Sequence, residues 1–164
     1  MASTSQESKI LILKSSEGVE FEIEESMAVQ SGTIKNMVED DCTVFPLPNV
    51  DTKTLIKIIE YIKKHADAEK TDSNEDEIKT FDKEFVKITI HDLFELVLAA
   101  NYLHISSLMD LLCRTIADRI KNKSYEAVRK IFNITIDYTA EEEAQVRKEH
   151  AWAHEGEEFD EFVD

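Results

Sequence analysis

The sequence predicts a mixed α/β domain that is followed by a helical extension. Strand-like patterns occur only before residue 50, whereas every regular pattern after residue 87 is helical. This order, with strands and helices first and only helices later, is typical of a mixed α/β domain with an all-helical addition. With 3 Gly and 2 Pro among 164 residues, the chain has few turn-forming residues for a loop-rich all-β fold. Hydrophobic residues make up 42% of the chain, which is enough for a globular core.

Three short strands are expected in the N-terminal part. Residues 9–23 are predicted to form a hairpin, because the apolar run KILILK is followed by the turn residues SSEG and then by VEFEI, in which every second residue is apolar. The third strand is expected in TVFPLP. There Pro46 places the strand at an edge of the sheet or ends it, because proline cannot donate to a strand ladder. Residues 1–8 are expected to be disordered.

Serine, threonine and aspartate residues mark the expected helix starts. Ser26 and Ser31 are candidate N-caps of two short helices, and Asp51 is the candidate cap of a longer one. The longer helix repeats apolar residues with helical spacing, at Leu55, Ile58, Ile59 and Ile62. Four further helices are predicted to begin near Ile90, Ser106, Ser124 and Thr139. The first and last of these follow the spacing of a capping box, a threonine with an acid three residues later.

The acidic stretch ADAEKTDSNEDEIKTFD, residues 66–82, interrupts the regular pattern. Its polar composition favours a solvated, flexible insertion, although it is longer than the about 12 to 15 residues usual for a structureless loop in a compact domain. The expected organisation is therefore an α/β domain over residues 9–121 with this loop inside it. Helices follow over residues 122–152, and an acidic tail covers residues 153–164.

The charge of the chain restricts its partners. The net charge is -16, with 35 acidic against 19 basic residues, so binding to nucleic acid or to an anionic membrane surface is disfavoured and basic protein partners are favoured. No segment approaches the roughly 18 to 20 apolar residues of a membrane span, and the N-terminus lacks the features of a secretory signal. The two cysteines are too few for a disulfide framework, which indicates a reducing compartment.

The sequence contains only weak candidates for a metal-binding or catalytic site. His150 and His154 have the spacing of two metal ligands on one helix face, and Glu155 could add a third, but no cysteine partner and no HExxH pattern accompany them. Cys42 and Cys113 are expected to be small apolar fillers rather than nucleophiles. A glycine-rich phosphate loop is absent from the sequence. We therefore expect no catalytic residues, no metal and no cofactor.

The helix predicted from Ile90 carries two apolar stripes. The first consists of Leu93, Leu96, Val97, Ala100 and Leu103, and the second of Phe94, Leu98 and Tyr102, with Asn101 at its edge. Two stripes mean either a helix buried nearly all round or a helix with one face for a partner. In the first case the tyrosine hydroxyl and the asparagine amide find local partners in the core. In the second case Tyr102 is an aromatic anchor and Asn101 orients the partner by hydrogen bonding. Periodicity alone leaves both interpretations open.

Six sequence motifs occur in one order between Lys9 and Trp152: ILILKSSEG, MVEDD, PLPNV, LFELVLAANYLHI, VRKIFNI and EEEAQVRKEHAW. Taken together, they resemble the S-phase kinase-associated (Skp) adaptor family, most closely its plant-type members. The resemblance implies a BTB/POZ-like α/β domain, with a small three-stranded sheet and helices, followed by C-terminal helices. It also implies a non-catalytic adaptor of SCF-type ubiquitin ligases that bridges a cullin scaffold to F-box substrate receptors. A RING subunit would be reached only through the cullin, and nucleus and cytoplasm are the expected locations.

The resemblance also assigns residues to the two partners. The family's NYL motif lies on the cullin-facing helix, so the residues expected to bind the cullin are Phe94, Leu98, Asn101 and Tyr102. The residues expected to bind the F-box are apolar positions on the later helices: Cys113, Ile116, Ile120, Val128, Ile131, Phe132 and Trp152. For each of these alone, ordinary helix packing also explains the spacing.

Some positions depart from the family pattern. In the Skp family a proline commonly opens the helix that is predicted here from Ser124, and Tyr125 stands in its place. Ile131 and Ile136 stand at positions where polar residues are more usual. These departures bear on which F-box proteins bind. Two other function classes compete with an adaptor: a self-associating BTB/POZ module without a ligase role, and a hydrolase or metalloenzyme. The motifs VRKIFNI and EEEAQVRKEHAW disfavour the first, because a bare BTB module does not need them.

Overall fold

The computed structural model describes residues 9–40, 42–71, 75–135 and 138–154, which form parts of two compact units. The first unit extends to Ile116 and the second begins at Ala117. This division lies inside a helix, a little before the boundary predicted after residue 121. The expectations for residues 1–8 and for most of the acidic tail lie outside the described residues.

A three-stranded sheet forms one side of the first unit. Its strands are β1 (Ile10–Lys14), β2 (Glu20–Glu24) and β3 (Val44–Pro46), in the order β2-β1-β3. The hairpin is confirmed: β1 and β2 are antiparallel, and the turn between them places Gly18 at a φ of 84°, in the left-handed region that glycine adopts most easily. The third strand is also confirmed. It is parallel to β1, lies at an edge of the sheet and ends at Pro46.

Two short helices connect β2 to β3, namely α1 (Glu25–Ala28) and α2 (Gly32–Glu39). Ser31 caps α2 as predicted, because its hydroxyl accepts a hydrogen bond from the Ile34 N–H at 3.2 Å. The prediction for Ser26 is wrong. The chain passes from β2 directly into α1 at Glu25, so Ser26 lies within the first turn and its hydroxyl donates to the carboxylate of Glu24 instead.

A long helix, α3 (Thr52–Thr71), follows β3. Asp51 caps it as predicted, since its carboxylate accepts from the Thr54 N–H at 2.9 Å. The four apolar residues that predicted this helix, at positions 55, 58, 59 and 62, are all buried. The helix continues past them into the stretch that was expected to be a loop.

The prediction of a structureless loop over residues 66–82 is wrong. The first part belongs to α3, and α4 (Glu75–Phe85) includes the last part, while residues 72–74 lie outside the described residues. An aromatic cluster explains the order: Tyr61 and Phe85 are buried, and the Phe81 and Phe85 ring centroids lie 5.6 Å apart. His65 stacks on Tyr61 at 4.1 Å and is 2.9 Å from the Asp82 carboxylate. These contacts join α3 to α4.

The last helices of the first unit are α5 (Ile90–Tyr102) and α6 (Ser106–Ile120), both beginning where the sequence predicted. Thr89 caps α5, since its hydroxyl accepts from the Asp92 N–H at 3.1 Å. The α5 helix packs against α3, and one continuous core includes residues from both helices and from the sheet. Most of α6 belongs to the first unit, and its last turn belongs to the second.

The second unit contains α7 (Tyr125–Ile131), α8 (Ala140–Glu149) and a 3-10 turn (Ala151–His154). The predicted caps are confirmed. The Ser124 hydroxyl accepts from the Ala127 N–H, and Thr139 forms both halves of a capping box with Glu142. None of the ten residues of α8 is buried. Two ion pairs connect the helices, Arg129 with Glu143 at 3.1 Å and Glu126 with Arg147 at 2.5 Å.

Candidate partner-binding surfaces

The exposure of the residues along α5 excludes one of the two interpretations of this helix. Leu98 is 64% exposed and Asn101 is exposed, whereas Phe94 and Tyr102 are half-buried. The first stripe is the core side, because all of its members except the half-buried Val97 are buried: Leu93, Leu96, Ala100 and Leu103. A helix buried nearly all round is therefore excluded. On the face that carries the second stripe, Leu98 and Asn101 are open to solvent, whereas Tyr102 packs in part against the core.

A specific turn fixes the end of α5 that carries Asn101 and Tyr102. The residue after the Leu103 cap, His104, has a φ of 51°, in the left-handed region that asparagine and glycine favour. The His104 N–H donates to the Asn101 carbonyl at 3.1 Å, and the Ile105 N–H donates to the Ala100 carbonyl at 3.0 Å. These two bonds form a Schellman motif, which satisfies two of the last carbonyls of the helix. No local pattern in the sequence indicates this motif, because a residue other than glycine is uncommon in the left-handed conformation.

The beginning of α5 is fixed by an ion pair. Lys53 of α3 lies 2.5 Å from the Asp92 carboxylate, and the Asp92 N–H also bonds to the Thr89 hydroxyl. The hydrogen bond from Lys53 holds the pKa of Asp92 below its usual range. A negative charge in the first turn also interacts favourably with the helix dipole. Both ends of α5 are therefore tied to neighbouring segments, so the open stripe is presented by a helix with fixed ends.

The residues predicted to bind the F-box fall in both units. In the first unit, Cys113 of α6 is exposed and Ile116 is half-buried against the core. The expectation that Cys113 is a small apolar filler is therefore wrong, because its side chain lies on the solvent side of α6. Cys42 is half-buried and packs against the core, in agreement with a filler.

In the second unit, the predicted residues differ widely in exposure. Trp152 is 74% exposed, whereas four others are half-buried: Ile120, Val128, Ile131 and Phe132. Three further apolar residues outside this assigned set are exposed, namely Ile134, Tyr138 and Val146. For Tyr138 and Val146 a signal is present in the sequence, because the segment over residues 138–152 has few other apolar residues to cover them. The side chain of Tyr125 and the position of Ile136 lie outside the described residues.

A groove of about 430 Å³ lies between α7 and α8 within the second unit. Its walls carry charges of both signs, with Arg129 and Arg147 opposite Glu143 and Glu126, and Ile134 contributes an apolar edge.

The described residues contain no group of three or more histidine, cysteine or acidic side chains placed to hold a metal ion. The pair His150 and His154 is not tested as a metal site, because Glu155 lies outside the part of the chain that the structure describes. A search of the helices in that part of the chain found none with the length and hydropathy to cross a membrane.

Comparison with known proteins identifies the family. The family model described as "Skp1 family, tetramerisation domain" matches residues 9–67, and "Skp1 family, dimerisation domain" matches residues 106–153. The chain is 51% identical over 150 residues to SKP1-like protein 11 of Arabidopsis thaliana, covering 90% of this chain and 99% of that protein. The chain belongs to the Skp1 family. The resemblance drawn from the six motifs is thereby confirmed, and so is the BTB/POZ-like fold followed by helices.

Further Skp1 relatives from plants match over similar lengths. SKP1-like protein 1A of Arabidopsis thaliana is 50% identical over 157 residues, covering 90% of this chain and 98% of that protein. SKP1-like protein 20 of Oryza sativa subsp. japonica is 46% identical over 175 residues, covering 94% of this chain and all of that protein. Skp1 family proteins are adaptors of SCF-type ubiquitin ligases and not enzymes, and the chain matches such proteins over nearly its whole length.

Proposed function

We propose that this protein is a non-catalytic adaptor that bridges a cullin scaffold to F-box substrate receptors. The observation that carries the proposal is the outer face of α5, where Leu98 and Asn101 are exposed beside the half-buried Tyr102 and the opposite face is core. An aromatic ring with an exposed aliphatic neighbour and an amide is the composition of a protein-binding hot spot. Family membership supports a cullin as the partner at this surface.

The F-box partner is proposed for the later helices. Trp152 and Val146 are exposed, and α8 has no buried residue of its own. A helix of ten residues that buries nothing is marginal in water, so a partner that covers these apolar side chains stabilises it. An F-box is itself a small helical bundle, so it offers helical surfaces against which Val146 and Trp152 can be buried.

A second candidate function is self-association without a ligase role. The two matching family models, which are described as a tetramerisation domain and a dimerisation domain, favour it. The same exposed residues could then meet a second copy of the chain. Light scattering at increasing concentration tests this candidate, which requires a rise in mass that Tyr102→Ala or Trp152→Ala abolishes.

The adaptor proposal is tested by calorimetry with two single variants and two partners. Tyr102→Ala is expected to weaken cullin binding about thirtyfold, since loss of an interface anchor costs ~2 kcal/mol, and to leave F-box binding unchanged. Trp152→Ala is expected to weaken F-box binding by a similar factor and to leave cullin binding unchanged. Circular dichroism verifies that both variants are folded. Unchanged cullin affinity of a folded Tyr102→Ala variant contradicts the α5 assignment.

The remaining parts of the proposal follow from the same role. The protein performs no catalysis, binds no metal or cofactor, and contacts a RING subunit only through the cullin. Nucleic acid and membranes are not partners, in keeping with the net charge of -16. The proposed locations are the nucleus and the cytoplasm, which a fluorescent fusion tests directly.

A further inference from the structure

We propose that the N-terminal end of α2 positions the docking end of α5, and that Thr33 is the positioning residue for Tyr102. This inference rests on the proposed function, because it takes the end of α5 as part of the cullin-binding surface. It adds a second segment, residues 31–33, that does not itself belong to the assigned stripe.

Three hydrogen bonds join the two helix ends. The Thr33 hydroxyl donates to the Tyr102 carbonyl at 2.8 Å, and the Thr33 N–H donates to the Leu103 carbonyl at 3.3 Å. The Gly32 N–H donates to the His104 carbonyl at 3.2 Å. The donors are thus consecutive residues at the start of α2, and the acceptors are consecutive residues at the end of α5.

Ser31 reinforces this junction from the core side. It is fully buried, and its hydroxyl donates to the Leu103 carbonyl at 2.5 Å while accepting from the Ile34 N–H. One side chain therefore caps α2 and binds the end of α5 at the same time. Substitution of Ser31 would disturb both the cap and the core, so Thr33 is the better residue to test.

The arrangement has a simple physical basis. The last carbonyls of a helix and the first N–H groups of another have no partners within their own helices, and here they satisfy one another. The positive end of the α2 dipole also faces the negative end of the α5 dipole. Helix ends fray when they are untied. Tyr102 is the last residue of α5, so the direction of its ring depends on how firmly this end is held.

The left-handed residue His104 supports the same reading. A non-glycine residue in this conformation persists where the surrounding structure holds it in place. Its carbonyl is bound by Gly32, and its ring Nδ1 lies 3.5 Å from the Thr33 hydroxyl. The turn that ends α5 and the segment that starts α2 are therefore one hydrogen-bonded unit.

The test compares Thr33→Val with the wild-type protein, using cullin binding, F-box binding and hydrogen exchange. Valine keeps the shape of threonine and removes only the hydroxyl. The expected result is about a three- to tenfold loss of cullin affinity, in proportion to one lost hydrogen bond, with unchanged F-box affinity. The amides of His104 and Ile105 are expected to exchange faster, and the amide of Leu96 at the wild-type rate.

Two further variants act as controls. Thr33→Ser keeps a hydroxyl at this position, so it is expected to have the cullin affinity and amide protection of the wild-type protein. In α4, the Thr80 hydroxyl also donates to a backbone carbonyl, that of Asp76. Thr80→Val removes this hydroxyl and is expected to leave both the cullin affinity and the protection of the His104 and Ile105 amides unchanged.

Each outcome has one meaning. Faster exchange at the end of α5 with reduced cullin affinity supports the inference. Unchanged exchange at His104 and Ile105 overturns it, whatever the affinity. Faster exchange with unchanged cullin affinity also overturns the inference, because the junction would then hold the end of α5 without affecting cullin binding. If Tyr102→Ala then leaves cullin affinity unchanged as well, the proposed function fails together with it. Equal losses of cullin and F-box affinity show a general loss of structure and overturn it too.

Discussion

Replacing Phe85 by alanine should release α4 from the first unit. Phe85 is only 3% exposed, and its ring lies 5.6 Å from those of both Tyr61 and Phe81. Lys57 adds a cation–π contact, with its Nζ 5.3 Å from the ring centroid. The substitution removes a buried aromatic side chain from a cluster that joins α3 to α4.

The magnitude follows from the burial of the ring. Truncation of a buried phenylalanine costs about 3 to 5 kcal/mol, which is a large share of the roughly 5 to 15 kcal/mol that stabilises a typical domain. If α4 detaches without global unfolding, the measured loss is smaller and appears as fast exchange of the α4 amides. The assay is therefore thermal denaturation combined with hydrogen exchange over residues 78–84. Tyr138→Ala, at a residue that is 53% exposed, is the matched control and should change the stability by less than about 0.5 kcal/mol.

Two results would refute this reasoning. In the first, Phe85→Ala denatures at the wild-type temperature and residues 78–84 keep their protection. In the second, these amides of the wild-type protein already exchange at the rate of an unstructured chain, as the original loop prediction requires. Either result means that the aromatic cluster does not hold α4.

Three further predictions concern single helix ends. His104→Gly should raise the free energy of unfolding by about 1 kcal/mol in a denaturant titration, because glycine adopts the left-handed turn without the steric cost of a side chain; equal or lower stability argues against it. The hydrogen bonds from Thr139 lower the pKa of Glu142 below its ordinary value of 4.5, so the capping box stabilises α8 above that pH and is lost as the pH falls through the lowered pKa. Circular dichroism should show that helicity falls more with acid in the wild-type protein than in Glu142→Gln. The amides of residues 145–149 should be weakly protected in the free protein and gain protection when an F-box protein binds; strong protection in the free protein would mean that α8 is already stable without the partner.

Local chemistry was predictable from the sequence where one side chain decides the outcome. The caps at Ser31, Asp51, Thr89, Ser124 and Thr139 follow from short-range hydrogen bonding and are present in the structure. Ser26 shows the limit of this reasoning, because a strand that leads directly into a helix leaves no room for a separate cap residue.

The helix α4 shows a different limit. Ile78, Phe81 and Phe85 have helical spacing, but their neighbours are acidic and polar, which is typical of a solvated loop. The stripe is stable because α3 supplies Tyr61 and His65 against it, and such a long-range contact is not visible in a local window. Tertiary packing stabilises this segment as a helix, although its composition alone indicates a loop.

The candidate surface on α5 was only partly predictable. Periodicity showed two apolar stripes and could not say which of them faces solvent. The 64% exposure of Leu98 supplied that information. The contacts of Ser31 and Thr33 with the end of α5 join residues about 70 positions apart, so no local pattern indicates them.

The most direct test of the bridging role is the mass of the complex formed with both partners. The adaptor, a plant cullin and a plant F-box protein, mixed at equal concentrations, should form a particle with one copy of each, and cullin and F-box protein should not associate without the adaptor. Analytical ultracentrifugation measures this directly, with Tyr102→Ala and Trp152→Ala each expected to remove one partner and to retain the other. Competition between the two partners for the adaptor, or a self-associated adaptor that binds neither of them, would contradict the account.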